Sequence, residues 1–170
     1  MSDTGKPAAK GVQAVGLVRA FVGFSSTDLP SYRVMQMWRA NEHIDFNFTD
    51  CQLETSIDSE NEAYIKRVCR ERIDMAGTFI QLIGKDTRHK HKYVRWEAEV
   101  ALEKECRVIG VNINDRRDCD TELTPPILRN IGAIFVPLRA KILAYAIENY
   151  KMHDNDDWHY KDDVYRELGL

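Results

Sequence analysis

The chain has 170 residues, 44% hydrophobic and 30% charged, the balance of one globular domain, which excludes a long disordered chain or a collagen-like fibre. Its 24 Lys and Arg face 27 Asp and Glu, a formal net charge of -3, far from the basic domain that binds nucleic acid by bulk electrostatics. No apolar run approaches the roughly 18 residues of a membrane span, and Cys51, Cys69, Cys106 and Cys119 stand far apart with no CxxC pair, as expected of reduced thiols in a soluble cytoplasmic protein.

Residues 1–16 carry no apolar period and are expected to form a disordered leader, ahead of a folded domain over 17–150 and a tail over 151–170. The run 17–24 is mostly apolar and ends in Ser25-Ser26-Thr27-Asp28, which predicts a buried strand and its loop. Residues 31–41 carry Val34, Met35 and Trp38 at helical spacing, with Ser31 as the expected cap. Ile44, Phe46 and Phe48 alternate with polar residues, the pattern of a half-covered edge strand over 44–48. A helix follows over 60–74 on the stripe Ile65, Val68, Cys69 and Ile73.

Residues 78–84 read as a third strand closed by Gly84, and 93–105 as a helix with Val94, Ala98, Ala101 and Leu102 inward. A fourth strand over 107–113, a charged turn over 114–120, a short strand over 133–136 and a helix over 138–149 complete the pattern. The acidic, aromatic tail is a candidate for one short terminal helix. Strand and helix alternate about five times, which predicts an α/β fold with a parallel sheet covered on both faces. In such folds the ligand crevice lies outside the carboxyl ends of the strands. The loops over 24–28, 49–56, 84–92 and 112–115 are therefore the candidate site.

Common phosphate and metal signatures are missing. There is no GxGxxG, and in Gly84-Lys85-Asp86-Thr87 an aspartate separates the lysine from the hydroxyl residue. The acidic residues of a receiver domain are absent, and the run from Asp154 lacks the glycine and glutamate of a calcium loop. His89 and His91 imply no third ligand by their spacing, so a metal is not expected. The basic stretch 88–92 opposes the dipole of the helix it precedes, which points to an anionic ligand or an acidic neighbour.

Glu97 lies on the border of its helix's apolar stripe, in or near the first turn, where a carboxylate faces the crevice rather than bulk water. From geometry alone, a glutamate that merely favours the helix dipole is an equal reading. For Trp96, a stacking surface and ordinary packing are both open, packing being the commoner fate.

Three segments together, RAFVGFSSTD at 19–28, QLIGKDT at 81–87 and YVRWEAEVAL at 93–102, resemble the TIR-like family that includes the signal-producing TIR proteins of the Thoeris anti-phage system. The likeness runs in element order over about 17–150, and its most specific piece is the aromatic-Val-x-x-Glu string from Tyr93 to Glu97. Tyr93 stands where many TIR proteins have Trp, and Gly23-Phe24 departs from the usual Ser-aromatic end of the first strand.

The resemblance implies a flavodoxin-like, TIR-like three-layer sandwich with about five parallel strands. It implies an enzyme that cleaves the nicotinamide–ribose bond of NAD+, with Glu97 as the catalytic carboxylate. The product would be a cyclic or conjugated ADP-ribose messenger acting on a separate effector. Phe24, Ser25, Ser26, Asp28, Asp50, Gly84, Lys85, Thr87, Arg95 and Trp96 are the expected substrate-binding residues by position. NAD+ would be substrate, with no further cofactor or metal. The family commonly assembles into homo-oligomers through the loop after the second strand, here 49–59. A non-enzymatic self-association module and a nucleoside deoxyribosyltransferase-like enzyme are the alternatives.

Overall fold

Every residue of the strand Thr78–Ile83 is buried, and this central strand organises the rest. The computed structural model describes residues 16–52, 61–89 and 92–170; the expected leader lies outside them except for its last residue. Six parallel strands form one sheet: β1 (Arg19–Gly23), β2 (Thr49–Asp50), β3 (Thr78–Ile83), β4 (Arg107–Asn112), β5 (Ile134–Pro137) and β6 (Trp158–His159), in the order β2-β1-β3-β4-β5-β6. The α/β expectation holds, with one strand more than the five anticipated. The sixth comes from the C-terminal stretch, where Trp158 pairs with Ile134 and His159 with Phe135.

Alternation along β1 and β3 divides the core. Ala20, Val22, Ile80 and Leu82 face α1 (Leu29–Ala40), α4 (Ala140–Asn149) and α5 (Asp162–Glu167), while Phe21, Phe79 and Ile83 face α2 (Glu62–Ala76) and α3 (Tyr93–Glu103). The result is three layers. Tyr165 of α5 is almost fully buried, and the Arg117 guanidinium lies 3.9 Å from its ring centroid. Arg107 reaches the end of α4, donating to Ile147 O at 2.6 Å and Tyr150 O at 2.5 Å, and so satisfies carbonyls that the helix leaves orphaned. All four cysteines are free.

Two local expectations are corrected. The edge strand is not at 44–48 but at Thr49–Asp50, and it is only two residues long. Phe46 and Phe48 are buried as the alternation required, yet they pack edge to face with centroids 5.8 Å apart, and a turn from Phe46 N to Ile44 O at 2.9 Å keeps that stretch off the ladder. α1 begins at Leu29, with Asp28 as N-cap and a proline in its first turn. Ser31 is thus inside the helix: Pro30 supplies the preset φ that starts it.

The chain adds β2 on one side of β1 and β3 on the other. That reversal between β1 and β3 is the point at which such sheets open a crevice for ligands. No helix among the described residues is long and apolar enough to cross a membrane.

Candidate functional site

The loops after β1 and β3 meet at this reversal. Asp28 places its carboxylate against Gly84, where a Cβ would stand 2.4 Å from Oδ1 and 2.5 Å from Oδ2; only glycine leaves room for it. Thr87 completes the junction: its Oγ1 accepts the Gly84 N–H at 2.8 Å and lies 3.4 Å from Asp28 Oδ2 and 3.3 Å from Leu82 O. Its single hydroxyl proton serves one of the last two at a time. Burial pushes the Asp28 pKa upward, the Asp86 charge adds to this, and the Thr87 hydroxyl opposes it. Ser25 is buried, with Oγ 3.0 Å from Thr27 Oγ1, and its carbonyl accepts the Asp28 N–H at 2.8 Å. Ser26 and Lys85 are exposed beside this cluster.

Phe24 is half-buried and stacks on Tyr32 with centroids 4.6 Å apart. Asp50 is committed elsewhere. It accepts the Tyr32 hydroxyl, accepts the Gln52 N–H at 2.8 Å and stands 3.7 Å from the Arg39 guanidinium. These contacts lash the edge strand to α1, so the structure does not bring Asp50 to the crevice as a free carboxylate. Desolvation and the Asp50 hydrogen bond both raise the Tyr32 pKa.

Glu97 is placed by α3. The helix starts at Tyr93, which puts Glu97 at the beginning of the second turn. Val94, Ala98, Val100 and Ala101 are the buried residues of this helix; Leu102, expected inward, is only half-buried. At about 100° per residue Val100 and Ala101 flank Glu97 on the helical wheel. Glu97 therefore occupies the middle of the buried face, not its border. The residue keeps a partial opening to solvent, but protein closes round the carboxyl and burial pushes its pKa up to about 8. Among the described residues no hydrogen bond or ion pair compensates it. A burial penalty left standing in this way makes the group a candidate for chemistry.

The neighbours of Glu97 come from α2. Cys69 has its pKa pushed up to about 11, chiefly by burial and secondly by the Glu97 charge. Trp96 packs against the α2–α3 core, with the Lys66 ammonium 5.7 Å from its ring centroid. Arg95 points to the outer flank of α3, paired with Glu99 at 2.9 Å.

Gln81 was not anticipated. It is fully buried, and its Nε2 donates to Gly23 O and Leu82 O, both at 3.0 Å, while Oε1 has no partner among the described residues. Its face of β3 is that of Phe79 and Ile83, the side on which Glu97 lies. The one signal in the sequence was an amide inside the apolar run TFIQLI. The unusual Gly23 has a related cause: a Cβ there would stand 2.8 Å from the Phe79 ring and 3.0 Å from Gln81 Oε1.

Among the described residues no group of three or more His, Cys, Asp and Glu could hold a metal ion; His91 lies outside them, as do residues 53–59 of the expected assembly loop. No curated protein matches the chain. The family described as "Thoeris protein ThsB, TIR-like domain" matches residues 21–118, from β1 through α3 and β4. That span contains both the β1–β3 crevice and Glu97, and it covers more than half of the 170 residues: the chain belongs to the Thoeris ThsB TIR-like domain family.

Proposed function

We propose that this Thoeris defence domain cleaves the nicotinamide–ribose bond of NAD+, with Glu97 as its catalytic carboxylate. The observation that carries the reading is the uncompensated Glu97 carboxyl in the middle of the buried face of α3, its pKa raised to about 8. Nicotinamide in NAD+ is already a cationic leaving group and needs no general acid. As the bond breaks, its electron pair goes to the ring nitrogen and positive charge develops on the ribose, giving an oxocarbenium-like transition state. An ionised Glu97 accepting hydrogen bonds from the ribose hydroxyls stabilises that charge. The arriving cation also favours loss of the Glu97 proton, because an opposite charge nearby lowers a carboxyl pKa.

The other residues take supporting parts. Gly84 lets the ligand approach the backbone, while Ser25, Ser26, Asp28, Lys85 and Thr87 hold ribose or phosphate. Phe24 and Trp96 offer rings to a base. The ADP-ribosyl group passes to an internal atom or a small nucleophile. The resulting cyclic or conjugated ADP-ribose activates a separate effector, and the chain assembles with copies of itself to act.

The test is nicotinamide release from NAD+, with mass spectrometry of the products, by wild type and Glu97→Gln. Glu97→Gln is expected to lose at least about 10²–10³ in rate while staying folded. Equal release by the two proteins overturns the assignment.

A further inference from the structure

We propose that a cavity beside α3, lined by Val94 and Arg95 but not by Glu97, binds the phosphates of a nucleotide. The cavity has a volume of about 630 Å³, inside the usual range for small-molecule sites. Val94, Pro125, Pro126 and Ile127 give it an apolar wall. Arg88, His89 and Arg95 give it a basic one, and among the described residues no acidic side chain lines it. That combination suits a ligand with a flat apolar part and an anionic part.

Both arginines are held in place before any ligand arrives. Arg88 Nη1 donates to Glu122 O at 3.0 Å, and Arg95 Nε donates to Glu99 at 2.9 Å. Each contact uses one of five guanidinium donors, and the planar fork matches phosphate oxygens in pairs. The wall opposite is stiff, because Pro125 and Pro126 fix the chain ahead of a short 3-10 turn over Pro126–Leu128. The basic stretch that the sequence set against the dipole of α3 thereby acquires a use. An anion between Arg88 and Arg95 relieves the repulsion.

On the helical wheel Val94 and Arg95 lie roughly 60° and 160° from Glu97, and the lining includes neither Glu97 nor its neighbours Cys69 and Trp96. Thr87 is the link, since it lines the cavity and also binds Gly84 and approaches Asp28. The phosphates could come from the ADP half of NAD+ or from a free nucleotide. Binding itself does not depend on the cleavage reading.

The probe is ADP, titrated calorimetrically into full-length Glu97→Gln protein, so that no turnover intervenes. ADP is expected to bind, and Arg88→Gln/Arg95→Gln in the same background to weaken it at least about tenfold. Ile127→Trp, which fills the cavity and leaves the charges intact, is expected to weaken it as well, with unchanged circular dichroism as the folding control for each variant. Displacement of ADP by NAD+ assigns the cavity to the substrate's own phosphates; simultaneous binding assigns it to a free nucleotide. If NAD+ binds nowhere in the variant and wild type releases no nicotinamide, the cleavage reading fails and the cavity stands. No ADP binding, or binding that neither set of changes weakens, overturns the proposal.

Discussion

The carboxylate of Asp28 fills the space that any side chain on Gly84 would need, with Oδ1 2.4 Å from the position of a Cβ. One residue follows β1 and the other follows β3, so this contact ties the two loops together at the reversal of strand order. Gly84→Ala must displace the carboxylate and break its approach to Thr87. A loss of about 1 kcal/mol is expected, the worth of one such hydrogen bond. Asp28→Ala removes the obstacle, so the double variant should be more stable than the sum of the two single losses, by a coupling of about 0.5–3 kcal/mol. Strictly additive losses in urea unfolding would show that the contact carries no strain.

Glu97 makes the fold pH-dependent in a direction opposite to a salt-bridged carboxylate. Its pKa is raised from an ordinary 4.5 to about 8, so between those values the unfolded chain has released the proton and the folded one retains it. Stability therefore falls as pH rises through that window and levels off above about pH 8. Glu97→Gln cannot titrate. It should be more stable than wild type, by little at pH 5 and by most at pH 9. Denaturant midpoints at pH 5, 7 and 9 measure this, and a variant less stable at every pH would mean that the carboxyl makes a stabilising bond in the wild type.

The same titration sets the expected pH profile of the proposed reaction. Free enzyme must lose the Glu97 proton, so kcat/KM for NAD+ should rise toward an apparent pKa of about 8. The profile of kcat alone should lie lower on the pH scale, because bound cationic nicotinamide favours the carboxylate. Initial rates from pH 5.5 to 9.5 separate the two. A flat kcat/KM profile would remove Glu97 from the role of the ionising group.

Which features were legible depended on whether periodicity or partners decided them. The long apolar runs at β1, β3 and β4 and the helices between them follow from the pattern of burial, so the parallel sheet could be read directly. Glu97 was legible through the aromatic-Val-x-x-Glu string, but not its depth: Val100 sits on the buried face of α3, and the stripe Val94, Ala98, Ala101 and Leu102, which left it out, could not locate the face's centre. The contacts of Asp50 were not legible, because they rest on Tyr32, eighteen positions away in α1. The shift of the edge strand from 44–48 to Thr49–Asp50 has a similar origin, since aromatic packing of Phe46 and Phe48 satisfies the same alternation as a ladder. The sixth strand escaped notice for a different reason. Two residues, Trp158 and His159, are too short to show any period.

Gln81 provides a last prediction. Its amide is fixed by two donated hydrogen bonds, to Gly23 O and Leu82 O, and its oxygen is buried without a partner among the described residues. Replacement by Leu removes both bonds and also the unpartnered oxygen, so the two effects oppose each other. The lost bonds at about 1 kcal/mol each outweigh the relief partly, leaving a net destabilisation of about 1 kcal/mol. Gln81→Glu is a harsher change, because it replaces the donating nitrogen with an acceptor facing two carbonyl oxygens. It should cost more than Gln81→Leu at neutral pH and recover on acidification, as the carboxyl regains a proton to donate. Melting temperatures of the two variants at pH 5 and pH 8 decide the matter: equal losses with no pH dependence would show that the amide nitrogen contributes nothing to holding β1 against β3.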